Sequence, residues 1–453
     1  MNAPDTIATH PFSEAYFHDL AAVLDRALAA GEFYTASLAA ETSEFVRFNR
    51  GKVRQPGSVS QCYLEIDLMQ GRRHALQRLA LCGNPASDAA AIEAAVLALR
   101  AALPALDDDP HLLYATQVHS TRSVRGTPLP AAERIIDDVL TAAKGHDVVG
   151  IYAGGPVMRG FANAAGQRNW HEATSFNLQW SLYHRADKAV KSGLSGLSWD
   201  DAVFAAKMQE AQSQLASMAL PSRALAPGDY RVFLAPAAME EIAGMLQWGA
   251  FSARALATRQ SSLARMQGEH GLGLDERVTL REATAEGIAT GFQSAGFIRP
   301  DRVALIDRGR LVGALTSPRT ALEFGGESNG ANNDETPEAL SMEGGDLALS
   351  DALAALDTGL YIGNLWYLNY SDRPAARITG MTRFATFQVE HGRIVAPVDV
   401  LRFDDTLYRM LGSSLEALTR EAELRLESST YMQRALASVR LPGALLSRMT
   451  FTL

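Results

Sequence analysis

Cys62-Tyr63-Leu64-Glu65-Ile66-Asp67-Leu68-Met69 alternates apolar and polar side chains, meets Gln70-Gly71, and gives way to an apolar run over residues 76–81. A period of two sends successive side chains to opposite faces of a strand, and Gln-Gly is a turn signal. Upstream, Glu41 to Phe48 reads as a short strand and Asn49-Arg50-Gly51-Lys52 as a turn. Residues 41–81 therefore spell an antiparallel meander.

Reading outward, residues 12–30 carry Phe17, Leu20, Ala21, Leu24 and Leu28 at helical spacing. Residues 87–103 form an Ala- and Leu-rich helix with Ser87 as its expected N-cap, and residues 131–143 repeat the helical period. Strands are expected over 148–152 and 175–183, joined by a turn at 163–167, and a helix over 199–218. Helices are expected to cover one side of the sheet.

Leu220-Pro221-Ser222-Arg223-Ala224-Leu225-Ala226-Pro227-Gly228 disfavours a continuing helix and is the best linker in the chain. It divides an N-terminal α+β domain, residues 1–220, from a mainly antiparallel β domain, residues 221–453. Within the second, 230–234 reads as a strand and 237–256 as a helix. Short strands follow at 302–306, 376–378 and 384–389. Residues 406–437 have a mostly helical period, ahead of an apolar segment at 441–446 that packs as helix or final strand. The fold class is α+β.

Composition narrows the function. The 453 residues suffice for two or three domains with their own cores. Lys plus Arg number 42 against 51 Asp plus Glu, a formal charge of -9 that repels a phosphate backbone, so no direct nucleic-acid partner is expected. No stretch approaches the roughly 20 apolar residues of a membrane span, and the first residues lack a basic and apolar leader, so a cytoplasmic protein without membrane contact is expected. The two cysteines, Cys62 and Cys82, outline neither a disulfide framework nor a zinc site and are expected to be buried thiols.

Three stretches, in this order, resemble the TldD/PmbA family: Glu41-Thr42-Ser43-Glu44-Phe45-Val46-Arg47-Phe48-Asn49-Arg50-Gly51-Lys52, Leu225-Ala226-Pro227-Gly228-Asp229-Tyr230-Arg231-Val232-Phe233-Leu234-Ala235-Pro236, and the segment from Thr379-Gly380-Met381-Thr382-Arg383-Phe384 to Val395-Ala396-Pro397-Val398. Catalytic members of that family carry HExxxH on the helix after the second stretch, where two imidazoles and a water-polarising glutamate serve one zinc ion. This chain reads Met239-Glu240-Glu241-Ile242-Ala243-Gly244, with Met239 and Gly244 at the histidine positions and Glu240 retained. A thioether and a hydrogen do not replace two imidazoles. The C-terminal cysteine ligand of catalytic members has no counterpart either.

The resemblance implies a PmbA/TldE-like, non-catalytic subunit of a zinc peptidase complex that processes small or unfolded peptides. It would carry no cofactor of its own, zinc being expected only in a TldD-like catalytic partner; a second copy of this chain is the other partner considered. The expected peptide contacts are Arg383, Phe384, Asn329, Asn332 and Asn333, the asparagines belonging to the glycine-rich stretch 325–334. Glu240 and Glu241 are otherwise expected to be solvated acids near a helix start. Two alternatives stay open. One is a stand-alone metallopeptidase with zinc ligands distant in sequence, such as His171, His184 or His270, since no two of the ten histidines lie three to five positions apart. The other is a homodimeric peptide- or protein-binding module. Gly326-Glu327-Ser328-Asn329-Gly330 matches GxSxG, but no helix is expected to follow it as a nucleophile elbow requires. Gly271-Leu272-Gly273 lacks the third glycine of a dinucleotide loop.

Overall fold

The computed structural model describes residues 11–185, 188–268 and 272–452. Its first sheet contains β1 (Glu32–Asn49), β2 (Lys52–Gln70), β3 (Arg73–Leu81), β4 (Arg122–Arg125), β5 (Asp147–Asn163), β6 (Arg168–Arg185) and β7 (Lys188–Gly196). The order is β3-β2-β1-β5-β6-β4, with β7 also on β6. All pairings are antiparallel except that of β4 with β6. The meander is present, but β1 begins nine residues before the strand expected at Glu41.

One face of this sheet is apolar. Leu38, Val46, Met158, Leu178 and Trp180 are buried on it beneath α1 (Glu14–Ala27), α2 (Pro85–Ala102), α3 (Ala132–Ala142) and α4 (Asp201–Met218). Each such large side chain contributes roughly 1.5–3 kcal/mol on leaving water. The helix starts follow local chemistry: the Asn84 side chain accepts from the Ala86 and Ser87 amides, and Asp200 caps α4 likewise. The cap of α2 is thus Asn84, not Ser87, because Pro85 already fills the first helical position.

The second sheet holds β8 (Gly228–Leu234), β9 (Leu280–Glu282), β10 (Val303–Asp307), β11 (Arg310–Leu311), β12 (Ala339–Met342), β13 (Gly359–Asp372), β14 (Arg377–Glu390), β15 (Arg393–Pro397), β16 (Arg402–Thr406), β17 (Leu415–Leu426) and β18 (Ser438–Phe451). It is mixed: β12 with β18 and β13 with β8 run parallel, and the other strand pairs antiparallel. β18 pairs with β12, β16, β17 and β8, and its pairing with β8 closes the ring β8-β13-β14-β16-β18. Pro221 and Pro227 lie in sequence between the two sheets, and Gly228 opens β8.

Three expectations fail. Residues 415–426 form β17, not part of a helix; Leu415, Leu418 and Leu426 register against Leu446, Ala444 and Ser438 of β18. The Leu, Glu, Ala and Arg content favours helix locally, but pairing with an apolar central strand overrides it. The helix expected over 237–256 is α5 (Pro236–Gln247), which stops at Trp248 before Gly249 with φ 78°, a left-handed conformation that favours glycine at a helix end. Ser252 then caps a separate short helix, Ala253–Ala257. Cys62 is buried, which pushes its thiol up to about 12, whereas Cys82 is exposed.

The opposite face of the first sheet is partly covered by the second half of the chain. The loop between β17 and β18 crosses it, and buried Arg434 donates to Ser43 Oγ at 3.2 Å, to the Gly155 carbonyl at 3.0 Å, and to both Ser175 oxygens at 2.7 and 2.8 Å. Burial lowers this guanidinium to about 10. Residues 287–296 cover more of it, with Ile288 in a buried cluster with Val157 and Ala173, and the stretch around Arg47, Ile151 and Gln179 is left as an open cleft.

Candidate functional site

α5 packs its apolar stripe, including Met239, Ile242 and Ala243, against Val232 and Leu234 of β8. Met239 is 1% exposed, so its side chain belongs to the core. Gly244 faces the other way, with no atom within 4 Å of where a Cβ would stand. Glu240 accepts from Arg425 Nε of β17 at 2.5 Å. The donor set at these positions is therefore a buried thioether, a carboxylate engaged by a guanidinium and bare backbone, which does not fit a zinc ion.

Glu240 and Glu241 are not the solvated pair expected from the sequence. Arg425 is 12% exposed and also holds Glu423 at 2.9 Å, which pairs with Lys207 of α4 at 3.0 Å. Burial opposes the Arg425 charge, but Glu240 and Glu423 outweigh it and hold the group above its ordinary value. Burial, then the nearby Glu240, raises the Glu241 carboxyl. Burial likewise raises Glu210, whose Oε1 accepts from Gln214. Lys207, Glu210, Gln214, Glu423 and Arg425 line a cavity of about 110 Å³ between α4, β7, α5 and β17, which Lys191 also lines.

Two larger clefts open nearby. The first, about 460 Å³, lies on the open face of the first sheet and includes Arg47, Arg54, Ile151, Gln179, Ser181 and Lys191 in its wall. Register explains the grouping: Arg47 sits opposite Ile151, Ile151 opposite Gln179, and Ser181 opposite Lys191. The second, about 360 Å³, lies between β6–β7 and β13–β14 and includes Tyr183, Lys188, Trp366, Arg383, Phe384 and Thr386. Lys191 ties the clefts together, with its Nζ 5.9 Å from the Phe384 ring centroid.

The expected contacts Arg383 and Phe384 thus share one cleft. Arg383 stacks its guanidinium 4.1 Å above the Trp366 ring and 5.3 Å from that of Phe384. Between the pairs Ile362–Thr386 and Asn364–Arg383, β14 has one residue more than β13; between Trp366–Met381 and Asn369–Thr379 the excess is on β13. In those bulges Phe384 has φ 59° and Tyr367 φ 58°. Left-handed backbone costs a bulky residue roughly 1–3 kcal/mol and collects where side chains must be aimed. Thr386 Oγ1, buried in the same wall, has no hydrogen-bond partner in the structure.

The expected asparagines lie elsewhere. Asn329 donates to the Ala314 carbonyl at 2.7 Å and accepts from the Thr316 amide at 2.9 Å. Asn332 donates to Glu338 and accepts from the Thr336 amide, while Asn333 is exposed. The two bonded amides shape their own loop. Ser328 of the GxSxG match donates to the Thr316 carbonyl, with no helix following. His171 lies within β6, buried, with Nε2 3.0 Å from the Ile288 carbonyl oxygen; burial brings it down to about 4. His184 is exposed near the end of β6, and His270 and Gly271 lie outside the described residues. Among the described residues no group of three or more His, Cys, Asp or Glu side chains is placed to hold a metal ion.

The chain matches the PmbA/TldA metallopeptidase C-terminal domain over residues 227–453. No curated protein matches it in sequence. Among solved structures, TldE from Thermococcus kodakarensis is similar with a TM-score of 0.75 at 15% identity, covering 97% of this chain and 100% of that one. A protein described as a candidate modulator of a DNA gyrase from Thermotoga maritima gives 0.71 at 13% identity, over 97% and 100% of the two chains. Another so described, from Bacteroides thetaiotaomicron, gives 0.72 at 18% identity, over 97% and 99%.

Proposed function

This chain belongs to the TldD/PmbA metallopeptidase family, and we propose that within it the chain is a PmbA/TldE-like subunit without metal catalysis of its own, acting beside a zinc-bearing, TldD-like partner. The observation that carries this reading is the state of α5, where Met239 fills the core, Glu240 is engaged by Arg425 and Gly244 offers no side chain. That helix docks on β17 through Glu240 and Arg425, and Glu423 of the same strand reaches Lys207 of α4.

The remaining task is to admit and hold small or unfolded peptides. An extended chain gains affinity by pairing its backbone with an exposed sheet edge and selectivity from side-chain pockets, of which the cleft at Arg383 and Phe384 supplies one. Co-expression with a TldD-like protein, followed by co-purification and peptide cleavage, tests the proposal. The expected result is a stable complex that cleaves peptide and loses activity with chelator, while this chain alone cleaves nothing. Chelator-sensitive cleavage by the isolated chain, or stoichiometric zinc in it, overturns the reading.

A further inference from the structure

We infer that the paired clefts select peptides bearing carboxylates, so the preferred ligand of this chain is an acidic extended peptide. This deepens the peptide-binding reading above and rests on it. The argument starts from charge. The whole chain carries -9, with 51 acidic residues against 42 basic, yet the two clefts are lined by Arg47, Arg54 and Lys191 in one and Lys188 and Arg383 in the other, with no Asp or Glu in either lining. A concave, low-dielectric wall of one sign concentrates field lines on a counter-charged ligand.

Four of these cations stand outside any described ion pair, although Lys191 also lies near the Glu241 carboxylate. Lys188 is buried and held by Asp399 at 3.3 Å, but none of the ion pairs among the described residues uses Arg47, Arg54, Lys191 or Arg383. The Arg383 guanidinium is steadied by its stack on Trp366, which leaves its edge donors free for a planar carboxylate. Thr386 Oγ1 adds an unpartnered hydroxyl in the same wall, and the left-handed backbone of Phe384 keeps an aromatic ring between Arg383 and Lys191. These features describe a pocket for an anion flanked by apolar groups. A nucleic-acid strand also combines anions with planar groups, but here Arg383 covers the Trp366 face that a base would need, and the net charge opposes a polyanion.

Fluorescence anisotropy on the full chain tests this with labelled peptides of one length: Glu-rich, neutral and Lys-rich, each with a free or amidated C-terminus, and a single-stranded oligonucleotide. The expected order is Glu-rich over neutral over Lys-rich, with the Glu-rich peptide alone weakened by salt. Lys191→Met and Arg383→Gln each weaken the Glu-rich peptide roughly 3-fold, and removing all four free cations weakens it roughly 30-fold, as half-exposed pairs predict. Arg277→Gln, which touches only the exposed Asp275 pair, changes nothing. Amidation should leave this order unchanged, because the side-chain carboxylates are the anions read; loss of the order on amidation overturns the inference.

Equal binding of neutral and acidic peptides, insensitive to salt and to these variants, overturns the inference while leaving peptide binding intact. Binding of the oligonucleotide in place of peptides, weakened by the same substitutions, also overturns it. No binding of any peptide sinks the peptide reading itself. The salt response of the unaltered chain decides the matter even where a variant fails to fold.

Discussion

Replacing Arg425 with Met tests whether α5 is held to β17 by a structural ion-pair joint. Arg425 is 12% exposed and is the only described ion-pair partner of Glu240, itself 31% exposed; Glu423 would keep Lys207. Breaking a buried pair by removing one partner costs about 3–5 kcal/mol, and the partial exposure of Glu240 lowers that to about 2–3 kcal/mol. At about 2 °C per kcal/mol for a large chain, the melting temperature should fall about 5 °C at neutral pH. The deficit has a sign in pH. In the variant Glu241 loses the nearby guanidinium that holds its carboxyl down, so that raised group rises further, and protonation relieves the repulsion among the acids left there. The deficit should therefore be full at neutral pH and shrink as the solution is acidified. Adding Glu240→Gln should recover about 1 kcal/mol, because no stranded charge is then left on α5. Calorimetry of the four proteins of this cycle at two pH values is the assay. An Arg425→Met protein as stable as the parent, or a deficit that does not shrink on acidification, refutes the reasoning.

His171 offers a second pH test. Its folded value of about 4 lies below the ordinary 6.5, so the folded chain refuses a proton that the unfolded chain accepts, and stability present above 6.5 is lost as pH falls towards 4. The loss amounts to about 3 kcal/mol at most, and urea unfolding of His171→Gln should show a flatter profile than the parent over that range. Arg434→Met strands the acceptors at Gly155 and Ser175 and should loosen the loop between β17 and β18 by about 3 kcal/mol, read as faster proteolysis within residues 427–437. Tyr367 is 73% exposed with φ 58°, so Tyr367→Gly should raise stability by up to about 1 kcal/mol, where the same change in ordinary strand lowers it; thermal melts decide the sign.

The architecture was legible where periodicity was clean. Alternation over residues 62–69 located β2, and the prolines of 220–228 located the change of sheet. β17 was hidden because its Leu and Glu residues satisfy a helical spacing, and only pairing with β18 makes them a strand. The site was half legible. Arg383 and Phe384 stood out beside a glycine-bounded strand, but Lys191 and Arg47 enter only through a register that spans four strands. The signal available was the alternation that points Arg47, Gln179 and Lys191 away from the apolar set. The bonding of Asn329 and Asn332 within their own loop was not legible, because a polar, glycine-rich stretch reads alike whether its amides face a ligand or its own backbone. That Met239 and Gly244 supply no imidazole was plain from letters alone; that Arg425 engages Glu240 was not.

The ring of the second sheet is closed by the last strand in the chain, since β18 touches β8, β12, β16 and β17, strands that begin as early as Gly228. During synthesis those earlier strands leave the ribosome without their common neighbour and must wait, edges open, for residues 438–451 to emerge. A chain cut short before residue 438 would thus yield no trimmed but serviceable product. It would yield a nascent chain with an unclosed barrel, the kind of species that chaperones hold and proteases clear.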